Sequence, residues 1–174
     1  MSIPEVSPTW FGETGLRLLE CAREALEDDG DRAPGLAHLV PGSLPAWDNC
    51  CEGGGQLYVR MPTVFPSGQP FPSQFTQPRC APPMNAVQYG VGVLRCTPTM
   101  DDGGEPPTAE EMTASALELW RDAFVLQKAL LCCLKDAPGV QTFVLGAWEA
   151  QGAEGGCAGG EWTITVGLPS CGDC

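Results

Sequence analysis

Residues 108–136, TAEEMTASALELWRDAFVLQKALLCCLKD, followed at 143–168 by FVLGAWEAQGAEGGCAGGEWTITVGL, decide the fold class. Thr108-Ala109-Glu110-Glu111 has the form of a capping box, and its acids sit where a helix dipole is positive. Met112, Ala116, Leu119, Ala123, Leu126, Leu130 and Cys133 then recur by fours and threes, which predicts a helix over 109–136. Trp120, Phe124 and Leu131 widen that apolar stripe beyond what covering one sheet face requires. Lys135 suits a last helical turn, and Pro138-Gly139 stops it. After the stop, Trp162, Ile164, Val166 and Leu168 alternate with Glu161, Thr163 and Thr165, the period of a half-buried strand. Phe143–Glu149 and Glu161–Leu168 read as a hairpin, joined by a Gly-rich connection at 151–160 expected to be mobile.

Working outward, a first helix is expected over 8–28, with Ser7 as cap, Pro8 at the first helical position, and Leu16, Leu19, Ala22 and Leu26 at helical spacing. Residues 31–54, punctuated by Pro34, Gly35, Pro41, Gly42, Pro45 and Gly53-Gly54, read as irregular connection. Gln56–Met61 alternates as a strand. Residues 66–83, PSGQPFPSQFTQPRCAPP, are too Pro-rich for a helix or inner strand and read as a long loop, either a binding loop or a disordered one. Val87, Tyr89, Val91 and Val93 share one face of a further strand that Arg95-Cys96-Thr97-Pro98 closes. The order α-β-β-α-β-β predicts an α+β domain spanning 1–174: a four-stranded, mainly antiparallel sheet packed by two helices, ending in a tail at 169–174.

The chain has 174 residues, 9 Lys+Arg against 22 Asp+Glu, one His and 10 Cys, for a formal charge of −13. That balance disfavours a surface gripping nucleic acid by its phosphates. The charge is unevenly placed: residues 1–52 carry −7, residues 53–100 carry +3 from Arg60, Arg79 and Arg95 with no acid, and residues 101–174 carry −9. The acid-free middle reads as sheet and loop, or as a contact surface for an acidic neighbour. No apolar run approaches the roughly 18 residues of a membrane span. The start, MSIPEVSPTWFGE, lacks a basic stretch followed by an apolar one, so synthesis in a cytosol is expected.

Few residues suggest chemistry. The lone His38 lies in a Pro/Gly stretch with no nucleophile turn nearby, and no phosphate-cradling glycine motif is present, so no enzyme, cofactor or metal is expected. Asp101-Asp102-Gly103-Gly104-Glu105 lacks the spacing of a calcium loop. Cys171-Gly172-Asp173-Cys174 has CxxC spacing without a following helix. Adjacent Cys50-Cys51 and Cys132-Cys133 read as poor chelating pairs, because neighbours in a strand or helix point different ways. Disulfides are the better expectation, despite the absent export signal. Cys80 and Cys96 flank a strand, Cys157 could meet Cys171 or Cys174, and Cys133 reads as a small buried hydrophobe.

Trp47-Asp48-Asn49-Cys50-Cys51, leading through Gly55-Gln56-Leu57-Tyr58-Val59-Arg60, then Phe65-Pro66-Ser67 and Val91-Gly92-Val93-Leu94-Arg95-Cys96-Thr97-Pro98, resemble the tail-terminator (tail-completion) proteins of long-tailed phages, in the form found with high-GC actinobacterial hosts. The resemblance implies a structural virion protein assembled in the host cytoplasm. It would form a homohexameric ring that ends tail-tube polymerisation, contacts the tube protein and the head-to-tail stopper, and lets DNA pass without specific binding. Ring contacts are expected at Arg60, Phe71, Phe75, Arg79 and Arg95, and on the wide helix face at Trp120 and Phe124. The rival readings are another connector of the same particle and a disulfide-stabilised extracellular binding module.

Overall fold

The computed structural model describes residues 9–42, 45–46, 50–75, 84–100, 103–154 and 156–170. Its elements are α1 (Trp10–Asp28), β1 (Leu36–Val40), a 3-10 turn (Glu52–Gly54), β2 (Gln56–Ser67), β3 (Met84–Cys96), α2 (Ala109–Lys135), β4 (Thr142–Glu154) and β5 (Cys157–Leu168). The α+β class is as expected, but the sheet has five strands in the order β1-β2-β3-β5-β4. β1 pairs in parallel with β2, Leu36 opposite Gln56 through Val40 opposite Arg60, while the other pairs are antiparallel.

The extra strand corrects the reading of 31–54 as irregular. Leu36-Ala37-His38-Leu39-Val40 is a short apolar run between two turn-forming pairs, and a parallel neighbour supplies ladder bonds no local pattern announces. The connection expected over 151–160 is largely strand: β4 and β5 continue pairing to Glu154 opposite Cys157. Pro66 and Ser67 belong to β2, and residues 68–75 fold back so that Gln74 bridges Ser67. Residues 76–83 and Ser7, Pro8, Asp101 and Asp102 lie outside the described residues.

Both helices lie on one sheet face, α1 against β1, β2 and β3 and α2 against β5 and β4. α1 buries Leu18, Ala22 and Leu26, one turn apart, and α2 buries Leu126, Leu130 and Leu134. They meet Leu57, Val59, Val87, Tyr89, Val91, Val93, Ile164, Val166 and Leu168 from the strands. Each large aliphatic side chain there contributes on the order of 2 kcal/mol by leaving water. α2 is capped as expected: Thr108 Oγ1 accepts from Glu111 N at 3.2 Å while Glu111 Oε2 accepts from Thr108 N at 2.8 Å. The first turns of α2 differ from expectation, because Met112 is exposed and Ala116 and Leu119 are only half-buried.

Where α1 ends, α2 crosses and β3 terminates, a chain of charges ties the layers together. Arg95, on β3, is buried and donates to both oxygens of the fully buried Asp122 of α2, at 2.8 and 3.1 Å. It also donates to the backbone carbonyls of Arg32, at 2.7 Å, and of Gly54. Arg32 bridges Asp122 and Asp29, each at 2.9 Å. Arg121 closes the chain on Asp29 at 2.7 and 2.8 Å. The disulfide Cys21–Cys133, with Cα atoms 6.1 Å apart, bolts α1 to α2. Cys133 is therefore a bonded cysteine and not merely a small hydrophobe.

Two outcomes follow. Asp122→Ala leaves the Arg95 guanidinium buried without its carboxylate and should cost about 3–5 kcal/mol in urea unfolding, whereas Arg95→Met with Asp122→Leu should recover most of that loss. Arg121 first, then Arg32, hold the Asp29 carboxyl below its ordinary range. Their contribution is present above the unfolded carboxylate pKa and is lost as pH falls through the lowered one. Arg121→Ala should therefore raise the Asp29 pKa, read by NMR titration; an unchanged value would refute the pairing.

Candidate interaction surfaces

Three surfaces stand out once the core is accounted for. The first is a ridge on α2. Leu117, Trp120, Phe124 and Leu131 recur three, four and seven residues apart, beside the buried stripe, and are all exposed, Trp120 at 68% and Phe124 at 67%. The expected wide stripe is thus real, and its outer half is left uncovered by the described residues. The indole Nε1 of the underlying Trp162 donates to Ala123 O at 2.8 Å, which fixes α2 over the β5–β4 end of the sheet. From Trp120 to Lys135 the helix carries three bases, Arg121, Lys128 and Lys135, and one acid, the buried Asp122.

The second surface is a cleft of about 980 Å³ at the opposite, β1–β2 end. Phe11, Gly12 and Gly15 of α1 form one wall, and Leu39, Val40, Pro41, Val59, Arg60 and Met61 form the other. Tyr89 lies at its base, donating its hydroxyl to Phe11 O at 2.8 Å, and burial pushes that phenol's pKa up. The cleft is mainly apolar, and α1 beside it carries five acids against two bases. Sequence reading missed it because β1 was not foreseen.

The third is the sheet face without helices. Gly90 and Gly92 on β3 leave room for side chains to lie flat across the strands: a Cβ at Gly90 would strike the Glu161 carboxylate, and one at Gly92 the Tyr58 ring. Arg60 Nε donates to Glu161 Oε2 at 2.6 Å and Nη2 to Oε1 at 2.5 Å, and this carboxylate keeps the guanidinium firmly charged. Gln151 Nε2 donates to the Tyr58 hydroxyl at 3.0 Å. Burial first, then the Glu161 charge, push the Tyr58 phenol's pKa up. His38, in register with Tyr58, lies on β1 and not in a loop, and its Nδ1 is buried without a hydrogen-bond partner among the described residues. Farther along the face lie Thr63, Gln88, Thr163 and Thr165, with Glu149 and Glu154 exposed on β4.

The residues expected at contacts are therefore scattered. Trp120 and Phe124 share the ridge. Arg60 is half-buried and tied to Glu161, and Arg95 is buried with its charge satisfied by Asp122, so it presents no guanidinium at the surface. Phe71 is half-buried, its ring reaching 3.2 Å from where a Gly167 Cβ would sit, and Phe75 is half-buried with its N–H bonded to Pro66 O at 2.8 Å. Arg79, Cys80, Cys171 and Cys174 lie outside the described residues.

The cysteines correct the expected pairing. Cys50 bonds Cys157, and Cys51 bonds Cys96, with Cα separations of 6.0 and 4.5 Å. Both crosslinks hold the 50–55 turn over the helix-free face, where Cys50 and Cys157 bury Tyr58 and Leu94 together with Val40. Cys132 is exposed and unbonded. No protein-family model matches the chain, and no curated protein matches it.

A substitution separates the flat packing from glycine content in general. Gly90→Ala should destabilise by about 1–3 kcal/mol, because the backbone or Glu161 must move. Gly152→Ala, where nothing lies within 4 Å of an added Cβ, should stay within about 0.5 kcal/mol of the parent. Equal losses by chemical denaturation would reject the account.

Proposed function

We propose that this chain is a tail-terminator subunit of a long-tailed phage, a structural protein that associates head to tail into a closed ring at the end of the tail tube. One observation carries the reading. A convex apolar ridge, Leu117, Trp120, Phe124 and Leu131, stands over one end of the sheet, and a concave apolar cleft opens at the other. Two unlike, complementary patches at opposite ends of a subunit make a heterologous contact, which generates rings when the rotation closes. Charge agrees with shape: Lys128 and Lys135 flank the ridge, and α1, which walls the cleft, is net acidic.

The number of subunits in the ring, its seat on the tube and its link to a head connector come from the resemblance of the sequence motifs. The helix-free face, polar with exposed Glu149 and Glu154, suits a passage for DNA, since fixed negative charge repels phosphates. The three disulfides fit an oxidised particle or an exported binding module equally and carry no weight between them.

Trp120→Ala with Phe124→Ala should leave stability within about 1 kcal/mol of the parent, because both rings are already in water, yet abolish ring formation. Light scattering of the purified protein, with and without isolated tail tubes, checks this, with electron micrographs of tube ends. A parent that stays monomeric and never decorates tube ends would overturn the reading. So would a double variant that still forms rings.

A further inference from the structure

The two crosslinks over the helix-free face bring four sulfurs from three separate chain segments to one place. Cys50 and Cys51 come from the turn before β2, Cys96 ends β3, and Cys157 opens β5. Cys96 and Cys157 are register partners across adjacent strands. Cys50 and Cys51 lie in a turn, not in a strand or helix, and their Sγ atoms are 4.0 Å apart on the same side. The objection that neighbouring cysteines point apart does not apply to this pair. Two sulfurs on a tetrahedral zinc, each about 2.3 Å from the metal, stand about 3.8 Å apart. The spacing of Cys50 and Cys51 is already close to that value.

In the disulfide-bonded form, no group of side chains among the described residues is arranged to hold a metal. The reduced form differs. Cys50 and Cys157 are buried and Cys51 and Cys96 exposed, so a metal placed among them would be shielded on one side and reachable from the other. The turn they anchor needs an anchor, since Gly53, Gly54 and Gly55 all have positive φ and contribute no side chain to packing. We propose that Cys50, Cys51, Cys96 and Cys157 form a tetrathiolate zinc site in the reduced protein, and that the two disulfides replace it on oxidation.

The exchange balances. A two-electron oxidant removes two electrons from the Cys50 and Cys157 thiolates to form one S–S bond, and a second equivalent does the same for Cys51 and Cys96. With no thiolate left, Zn²⁺ leaves for solvent. In reverse, two equivalents of a dithiol reductant supply four electrons and are themselves oxidised to disulfides. The thiolates so formed bind the metal as their protons go to solvent. The inference rests on the proposed function only in that a chain assembled in a host cytoplasm meets a reducing medium, where zinc can hold the turn that disulfides cannot.

The test uses the full chain, expressed in a reducing cytosol and purified with a phosphine reductant and without chelator. Elemental analysis should find about one zinc per chain. Replacement by Co²⁺ should give the intense visible absorption of a tetrahedral tetrathiolate. Cys50→Ser with Cys157→Ser should lose the metal, and Cys21→Ser with Cys133→Ser should keep it. A two-electron thiol oxidant should release the zinc to a chromogenic chelator, with Cys50–Cys157 and Cys51–Cys96 then found by peptide mapping.

Wild-type protein with all ten thiols titratable and no zinc would overturn the site. So would zinc retained after serine replaces all four cysteines. Should the variants not fold, the wild-type cobalt spectrum decides alone: fewer than four thiolates rejects the proposal. Ring assembly is read separately by light scattering. A zinc-bound monomer would count against the terminator reading and leave the site standing, and a zinc-free ring would do the reverse.

Discussion

Asp122 is the residue on which the layers of this protein converge. A carboxylate with no solvent exposure, on the buried face of a helix beside Leu126 and Leu130, is costly unless charged partners surround it. Arg95 from the sheet and Arg32 from the turn after α1 supply them. Because each guanidinium is bonded at the same time to backbone or to Asp29, the pairing fixes more than a distance. It sets the height of α2 above β3, the direction in which α1 leaves for β1, and the position of Gly54 at the entry to β2. A hydrophobic contact would tolerate sliding among these elements, and a bidentate ion pair does not.

That constraint explains how the exposed surfaces arise. Turning Asp122 inward, with Leu126 and Leu130, rotates Trp120 and Phe124 outward. α2 thus has a helical period that serves two faces, one packed on the sheet and one exposed. At the other end of the sheet, β1 adds a short parallel strand whose Leu39 and Val40 form a wall opposite α1. Ridge and cleft are products of the same layering and not separate additions to it.

Much of this was legible in the residues. The capping box at Thr108 and Glu111, the alternation of Trp162 through Leu168, and the excess apolar width at Trp120 and Phe124 are local signals read at short range. What escaped depends on partners distant in sequence. β1 is too short to declare itself, and its parallel pairing is not encoded in any turn. Arg95 reads in the sequence as a contact residue because its acid, Asp122, lies on another element. Cys21–Cys133 joins residues 112 apart, and nothing near Cys133 distinguishes a bonded cysteine from an apolar one. For Cys50-Cys51 the rule for neighbours in a strand or helix was applied to residues that lie in a turn, and a turn aims both sulfurs one way.

The outer strand β4 pairs with β5 out of step at two points, between Leu145 and Trp148 and between Gln151 and Glu154. An edge strand with an uninterrupted ladder is a template on which any extended chain can grow, including another copy of itself. The two register breaks bend that edge, and Glu149 between them places a charge where an incoming strand would have to lie. In the ring proposed above, such a border could stand beside identical copies without offering them an uninterrupted ladder, and association would be left to side chains.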